Sequence, residues 1–296
     1  MSKNYTSLFN FIVSVALCIW LSACGRSNVS GLEQATSEVV VSTTAYPAVV
    51  MVVMPGGLGL CTGTFISANT VLTAAHCTTR NGTYYIQASF GSFSTSHIVN
   101  LGTGTLEDEN DLALLILDED VADIDAGEVY RVGTDPIVYE QVRLVGFGCN
   151  NLQQKSGSGV KRTGENQIYG VAEYIELLTP DTGSQSRGIL GAANRAGTCF
   201  GDSGGPLLRE TGDGFAVLGV SHAGGTDGET ILSQFTNLNR DDNFNAIAQQ
   251  SDALNLGIFD GCRNWASGYG CNSQNAFVEI FSFIKVIWNK LALLLR

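Results

Sequence analysis

The chain has 296 residues, of which 44% are apolar, so it can form a sizeable hydrophobic core in one large or two small domains. Its net charge of -12 argues against nucleic-acid binding and against electrostatic adhesion to anionic lipid. The 35 glycines and only 5 prolines are typical of a chain with many turns between strands.

Residues 1–23 are predicted to be a signal peptide. Lys3 precedes an apolar run, Leu8 to Leu21, that is too short to span a bilayer comfortably. The run ends in Leu21-Ser22-Ala23-Cys24, which resembles a bacterial lipobox, so we predict lipidation of Cys24. An ordinary signal peptide with an incidental cysteine is the alternative. The glycine at position 25 implies, by the same resemblance, anchoring at the outer membrane, facing the periplasm or the exterior.

Residues 24–44 are small and polar and are predicted to form a lipid-proximal tether. The following region, 45–253, contains short β-branched runs separated by glycine-rich turns, which predicts an all-β domain with a seam near 133–136. A helical pattern first occurs over Asp242–Ala253. The predicted strands are Ala48–Met54, Cys61–Ile66, Val71–Ala74, Tyr84–Phe90, Leu112–Leu117, Gln141–Phe147, Gln167–Leu178, Gly205–Arg209, Phe215–His222 and Ile231–Leu238.

Residues 254–296 form a C-terminal extension of different character. Cys262 and Cys271 bracket a glycine-rich loop, and an amphipathic helix is predicted from Phe277 onward. Two interpretations of that helix remain open: it packs on the domain, or it lies on the membrane surface.

Three short motifs carry candidate chemistry. Gly201-Asp202-Ser203-Gly204-Gly205-Pro206 offers an exposed hydroxyl beside backbone N–H groups, which suits attack on a carbonyl, although a tight turn has the same composition. Thr73-Ala74-Ala75-His76-Cys77 supplies a histidine, the natural base near neutral pH. Asp111 enters an apolar strand, either as the group that orients that histidine or as a surface residue of an acidic loop.

These motifs, in the order His, Asp, Ser, resemble the trypsin/chymotrypsin family of serine endopeptidases. The resemblance covers roughly residues 46–250 and includes Cys61-Thr62-Gly63-Thr64-Phe65-Ile66 and Val145-Gly146-Phe147-Gly148. It implies two six-stranded antiparallel barrels with the active site in the cleft between them, and the helical pattern described above adds a C-terminal helix to the predicted fold.

The resemblance also implies a role for each matching residue. Ser203 is the nucleophile, His76 the general base and then acid, and Asp111 the group that orients His76. The backbone N–H groups of Gly201 and Ser203 form the oxyanion hole. A separate segment, Ser221, His222 and Ala223, pairs with the backbone of a peptide substrate.

The chain departs from the family at its specificity pocket. Gly197 occupies the position where trypsins carry an aspartate, so strict cleavage after Arg or Lys is not expected. His222 replaces the usual tryptophan, either to shape substrate choice or as a plain rim residue. Ala223 stands where a glycine is common, which narrows the pocket mouth. Asp227 or Glu229 remains a candidate for reaching the pocket.

A second departure concerns activation. In the family, a new N-terminal ammonium pairs with the aspartate before the serine, here Asp202, after cleavage before an Ile-Val-Gly-Gly segment. No such segment precedes Tyr46. Because a buried, unpaired carboxylate costs several kcal/mol, either the chain is processed at an unusual site or Asp202 has another donor.

Six cysteines remain after the signal peptide and Cys24, and an even number in an exported chain predicts three disulfides. The resemblance implies Cys61–Cys77, while Cys149 and Cys199 fall near the rim of the active site, where they can pair. The remaining pair is Cys262–Cys271, by exclusion and short separation. The absence of a Cys-x-x-Cys pair argues against a metal knuckle, and no metal or cofactor is expected.

The expected function is therefore hydrolysis of peptide bonds by a serine endopeptidase, with protein or peptide substrates and a membrane contact through lipidated Cys24. Two alternatives remain: a catalytically silent peptide- or protein-binding module on the same fold, and an esterase or transferase with the same triad.

Overall fold

The computed structural model describes residues 39–42, 44–121, 131–132, 135–151, 154–180, 195–211, 214–226 and 230–258. The predictions made for the signal peptide, for Cys24, for Asp227 and Glu229, and for the C-terminal disulfide and amphipathic helix lie outside these residues. No helix among the described residues is long and apolar enough to cross a membrane.

The first half of the domain is a seven-stranded antiparallel sheet in the order β6-β5-β2-β3-β4-β8-β7. The strands at its two edges, β6 and β7, are joined through Ser96 alone, so the sheet curls until its edges are neighbours. The β-branched runs found in the sequence form its centre, where β2 pairs with β3 and β5. The strands are β2 (Val49–Val53), β3 (Leu60–Ser67), β4 (Thr70–Thr73), β5 (Tyr84–Ala88), β6 (Gly91–Thr95), β7 (His97–Asn100) and β8 (Ala113–Ile116).

The second half contains a closed barrel of six strands. The order β11-β10-β13-β14-β15-β12 returns to its start because β12 also pairs with β11. Two short strands lie outside this ring: β1 (Val39–Val40) pairs with β11, and β9 (Arg131–Val132) pairs with β14. The ring strands are β10 (Gln141–Gly146), β11 (Arg162–Val171), β12 (Tyr174–Pro180), β13 (Pro206–Thr211), β14 (Gly214–Thr226) and β15 (Thr230–Asn237).

One helix, α1 (Asp241–Leu254), follows the second barrel, close to the predicted Asp242–Ala253. Asp241 and Asp242 lie in its first turn, where negative charge is favoured by the helix dipole. The helix ends at Asn255 in the left-handed conformation, with φ 53°. Its buried Ile247 joins the apolar core of the first half.

The core of the first half continues across the cleft. The cluster around Phe65 and Leu114 also includes Val145, Leu208 and Val217 from the second barrel. A second, smaller cluster fills the interior of that barrel, around Ile168 and Phe235. Each of these fully buried side chains contributes about 1.5–3 kcal/mol, so the two halves are held in one orientation by apolar packing.

The predicted all-β fold with two barrels and a C-terminal helix is confirmed, but the first half has seven strands where six were predicted. The run Gln167–Leu178, predicted as one strand, spans the end of β11 and most of β12, which turn over at Ala172 and Glu173. The strand β6 was not predicted, because Gly91-Ser92-Phe93-Ser94-Thr95 has few β-branched apolar residues and no strong alternation.

Candidate active site

His76 lies on a short 3-10 turn, Ala75–Thr78, that follows β4 directly. The next residue, Cys77, forms the predicted disulfide with Cys61 on β3, which fixes the turn to the sheet. The His76 backbone N–H donates to Asp111 Oδ1 at 2.8 Å, and its Nδ1 lies 2.6 Å from Asp111 Oδ2. The side chain of His76 is 19% exposed, whereas that of Asp111 is fully buried.

Asp111 is fully buried just before β8 and is therefore not a surface residue of the acidic loop. Burial opposes its ionisation, but hydrogen bonds from His222 and His76 outweigh that effect and lower the pKa of Asp111 to about 2. The carboxylate is thus ionised at neutral pH and accepts the Nδ1–H of His76. This tautomer leaves Nε2 of neutral His76 free to accept a proton.

Ser203 lies on a loop that is joined to both barrels. Its carbonyl accepts the Thr62 N–H of β3 at 2.8 Å. The next N–H, of Gly204, donates to the Ser221 carbonyl at 2.8 Å, and the Ser221 N–H donates to the Gly205 carbonyl at 2.8 Å. The loop therefore joins β3 of the first barrel to β14 of the second, with Ser203 between them.

Gly204 fits only because it lacks a side chain. Its φ is +80°, and a Cβ there would lie 2.1 Å from Thr73 Oγ1 and 2.4 Å from the Thr62 carbonyl. This close approach places the serine loop against the end of β4, from which the chain enters the turn carrying His76. The sequence motif thus reflects a steric requirement as well as a chemical one.

The backbone around Ser203 has the donors that an oxyanion needs. Neither the Gly201 N–H nor the Ser203 N–H donates to another described residue, whereas the Asp202 N–H between them is bonded to the Cys199 carbonyl at 3.0 Å. Ser203 Oγ likewise makes no hydrogen bond to a described residue, including His76. Catalytic hydrogen bonds are commonly long or absent before substrate binds.

The trypsin family model matches residues 35–241, which is more than half of the chain and includes both barrels. The chain belongs to the trypsin family. It is 27% identical over 198 residues to CLIP domain-containing serine protease B15 of Anopheles gambiae, in an alignment that covers 54% of this chain and 52% of that protein. The chain therefore spans about half the length of this relative.

Within the trypsin-family fold, His222 occupies a different place from the one expected. Ser221 pairs with Phe235 and Ala223 with Gln234, so His222 is the extra residue of a β-bulge. Its side chain is only 1% exposed, and its Nδ1 lies 2.7 Å from Asp111 Oδ2. The imidazole thus lies behind Asp111 instead of forming the rim of the cleft.

Thr62, on β3, is hydrogen-bonded to the loop around Ser203 through both its backbone and its side chain. In addition to its N–H bond to Ser203, its Oγ1 donates to the Gly201 carbonyl at 2.8 Å and accepts the Phe147 N–H at 3.1 Å. One buried hydroxyl therefore links the oxyanion loop to the end of β10. The sequence signal was its place in the Cys61–Ile66 segment, but these partners are distant in sequence.

Asp202 is buried, and its carboxylate has donors within the described residues. Oδ1 accepts the Gly148 N–H at 2.8 Å and Oδ2 accepts the Cys199 N–H at 2.9 Å. Burial raises the pKa of Asp202 to about 7, and these N–H groups together with the charge of Arg162 act in the opposite direction. Arg162 is itself buried, and its Nη1 donates to the Gly148 carbonyl at 2.9 Å. Gly148 thus contacts both side chains, Asp202 through its N–H and Arg162 through its carbonyl oxygen.

The surroundings of Gly197 are uncharged. A Cβ there would lie 3.1 Å from Thr179 Oγ1 and 3.4 Å from Ser233 Oγ. Both hydroxyls have partners, since Thr179 Oγ1 donates to the Ala196 carbonyl at 3.1 Å and Ser233 Oγ accepts the Thr198 N–H at 3.0 Å. The described atoms nearest to position 197 therefore belong to hydroxyl-bearing side chains, with no carboxylate oxygen among them.

The second predicted disulfide in the described residues, Cys149–Cys199, is also present. Cys149 follows β10 after Gly148, and Cys199 lies four residues before Ser203. Because the Cys149 N–H also donates to the Phe200 carbonyl at 2.8 Å, the bridge holds the loop around Asp202 to the end of β10.

Two clusters of described residues bring three side chains of metal-ligand type within 4.8 Å of one another. In the first, Cys61 and Cys77 are consumed by their disulfide. In the second, Asp111 Oδ2 lies 2.6 and 2.7 Å from the two histidine nitrogens. Ligands around tetrahedral zinc are about 3.3 Å apart, so these are hydrogen-bond distances.

Proposed function

We propose that this trypsin-family protein is a serine endopeptidase in which Ser203, His76 and Asp111 act as the catalytic triad. The observation that carries the proposal is a pair of hydrogen bonds between a buried carboxylate and one histidine: Asp111 accepts both the backbone N–H and the Nδ1–H of His76. A carboxylate that only stabilised the turn would need the backbone bond alone. The second bond fixes the tautomer that a general base requires.

The proposed reaction proceeds through an acyl-enzyme. Ser203 Oγ forms a bond to the scissile carbonyl carbon while its proton passes to His76 Nε2. The oxyanion that develops accepts hydrogen bonds from the N–H groups of Gly201 and Ser203. Collapse of this intermediate breaks the C–N bond, and His76 returns the proton to the leaving amine. Water then attacks the ester carbonyl while His76 takes its proton, the C–O bond to Ser203 breaks to release the carboxylic acid product, and His76 returns the proton to Ser203 Oγ.

We propose that cleavage follows uncharged residues. The described wall around Gly197 has no carboxylate to balance an Arg or Lys side chain, and its hydroxyl groups belong to Thr179 and Ser233. The substrate backbone would pair with Ser221 and Ala223. A peptide-library profile should show cleavage after small or apolar residues, and a strict preference for Arg or Lys would contradict this proposal.

The endopeptidase proposal is tested by covalent labelling. A fluorophosphonate should label the full chain at Ser203, as mapped by mass spectrometry, and Ser203→Ala should abolish both labelling and peptide cleavage. Ser94→Ala, a change at an exposed residue of β6, serves as the matched control and should label normally. A folded protein that is never labelled, before or after proteolytic processing, would favour a binding module over an enzyme.

We also propose that the chain is an exported bacterial lipoprotein, anchored at the outer membrane through Cys24. The support is the sequence alone, namely the apolar run followed by Leu21-Ser22-Ala23-Cys24. Mass spectrometry of the N-terminal peptide of the mature protein should detect a diacylglyceryl group on Cys24. An unmodified N-terminus at another residue would exclude the lipid anchor without affecting the endopeptidase proposal.

A further inference from the structure

The ring of His222 is enclosed between the first barrel and β12. Its Nδ1 lies 2.7 Å from Asp111 Oδ2, and its Nε2 lies 3.1 Å from the Leu106 carbonyl oxygen. One face stacks on Tyr174, with ring centroids 4.8 Å apart and planes 11° apart. The ring of His76 approaches edge-on, with centroids 6.4 Å apart. A side chain with a partner at each nitrogen and on one face has a defined orientation.

The partners of His222 determine which of its nitrogens carry protons. A carbonyl oxygen can only accept a hydrogen bond, so Nε2 carries a proton. Asp111 is ionised at neutral pH, because its pKa is about 2, and a carboxylate can only accept hydrogen bonds. Nδ1 therefore carries a proton as well. A His222 ring that donates at both positions would be an imidazolium cation in contact with the carboxylate of Asp111.

We propose that His222 is a second positioning residue for the triad, a cationic donor that bonds the same carboxylate oxygen of Asp111 as His76 does. This proposal rests on the proposed endopeptidase function. Asp111 Oδ2 then shares its negative charge between two N–H donors. Its orientation is fixed by three bonds, two from His76 and one from His222. Because part of its charge is engaged by His222, Asp111 stabilises the imidazolium form of His76 less strongly.

The charged groups around the ring are consistent with a cation at this position. Asp111 and His76 face it from the first barrel, and Tyr174 faces it from β12. Beyond them lie Asp108, Glu109 and Arg240. Burial, followed by the charges of Glu109 and Asp108, raises the pKa of Tyr174, while the charge of Arg240 acts in the opposite direction. Arg240 is itself paired with Glu109 at 2.6 Å.

Two variants separate the hydrogen bond from the charge. His222→Asn retains a neutral N–H donor where Nδ1 was, and His222→Gln retains one where Nε2 was. We expect His222→Gln to lower kcat about 10- to 100-fold, the effect of losing a hydrogen bond to a charged group, with KM nearly unchanged. His222→Asn should stay within about threefold of wild type in kcat, since the bond to Asp111 survives. His97→Asn, on β7, is the control.

Both variants lack the cation, so both should move the acid limb of the pH profile of kcat/KM to higher pH by about one unit. An effect on KM or on residue preference, with kcat and the acid limb unchanged, would make His222 a substrate-contacting residue and overturn the proposal. Wild-type kcat and an unshifted acid limb in His222→Gln would overturn it as well.

A spectroscopic test does not require turnover. The chain has three histidines, so long-range 1H–15N spectra of the full-length protein contain few imidazole signals, and the variants assign them. We expect two protonated ring nitrogens for His222 at pH 7. A single protonated nitrogen would overturn the proposal. If the wild-type protein neither cleaves peptides nor reacts with a fluorophosphonate, the endopeptidase proposal fails, and this spectrum still decides the state of His222.

Discussion

Replacing Arg162 with methionine removes a buried guanidinium but keeps a side chain of similar length. In the wild-type protein its charge acts on Asp202, and its Nη1 donates to the Gly148 carbonyl at 2.9 Å and to the Val160 carbonyl at 3.2 Å. Without it, the carboxylate keeps only the N–H groups of Gly148 and Cys199 as described partners. A buried carboxyl group that loses a cationic neighbour can avoid an uncompensated charge by keeping its proton, which raises its pKa.

The loss of stability should depend on pH. The pKa of Asp202 is about 7 in the folded protein, above its ordinary value of 3.8, so the folded state keeps a proton that the unfolded state releases. Stability from this group is therefore fully present below about pH 4 and falls as pH rises towards 7. Arg162→Met raises that pKa further, so the decrease continues to higher pH and the difference between variant and wild type grows.

Urea unfolding of the disulfide-intact protein, followed by far-ultraviolet circular dichroism, measures this difference. We expect Arg162→Met to be less stable than the wild type and, because pH 8 lies about one unit above the wild-type pKa of Asp202, to lose about 1.4 kcal/mol more at pH 8 than at pH 5. Arg143→Met is the matched control, because Arg143 pairs with a half-exposed Glu165 and such surface pairs contribute about 0–1 kcal/mol. A loss for Arg162→Met that matches the control, or that does not change with pH, would refute a role for Arg162 in balancing Asp202.

Three further changes have expected outcomes. Asp111→Asn should lower kcat on the order of 10⁴-fold in peptide hydrolysis, because His76 would lose the acceptor that fixes its tautomer. As pH falls from about 4 to 2, the wild-type protein should lose about 2 kcal/mol of unfolding free energy, since the pKa of Asp111 is about 2 in the folded state. Asp111→Asn should not show this loss. Equal acid sensitivity of the variant and the wild type would contradict the assigned hydrogen bonds. In chemical unfolding, removing the Cys149–Cys199 disulfide, whose cysteines are 50 residues apart, should cost about 4 kcal/mol. Removing Cys61–Cys77, whose cysteines are 16 residues apart, should cost about 3 kcal/mol. The reverse order would contradict the explanation by loop-closure entropy. Thr62→Val keeps the shape of Thr62 but removes its side-chain hydrogen bonds to Gly201 and Phe147. We expect kcat to fall about tenfold with little change in KM. An unchanged kcat would show that the loop from Gly201 to Ser203 does not depend on this hydroxyl.

The structure also bears on the open question of activation. Asp202 has two backbone N–H donors and the charge of Arg162 within the described residues. These groups are the kind of alternative donor that the sequence analysis required if no new N-terminus is formed. The residue before the serine can thus be stabilised in the uncut chain, and N-terminal sequencing of the mature protein identifies whether processing occurs as well.

The residues with the strongest local signals could be predicted from the amino-acid sequence alone. His76 and Ser203 lie in short motifs whose neighbours are constrained by the backbone, as Gly204 is by its positive φ and its contact with Thr73. The strands around them contain β-branched runs between glycine-rich turns, and such runs predict a buried sheet without knowledge of the partners. The pairing Cys61–Cys77 was implied by the family resemblance and is present.

The residues that hydrogen-bond to those motifs from distant parts of the chain could be identified only in the folded structure. Thr62 and Gly201 are 139 positions apart, Asp111 and His222 are 111 apart, and each pair meets through a single hydrogen bond that has no local signature. His222 lies behind Asp111 because a β-bulge turns it inward, and a bulge depends on the register of two strands. Contacts between distant strands are fixed by barrel closure and core packing, so they cannot be derived from local composition or periodicity.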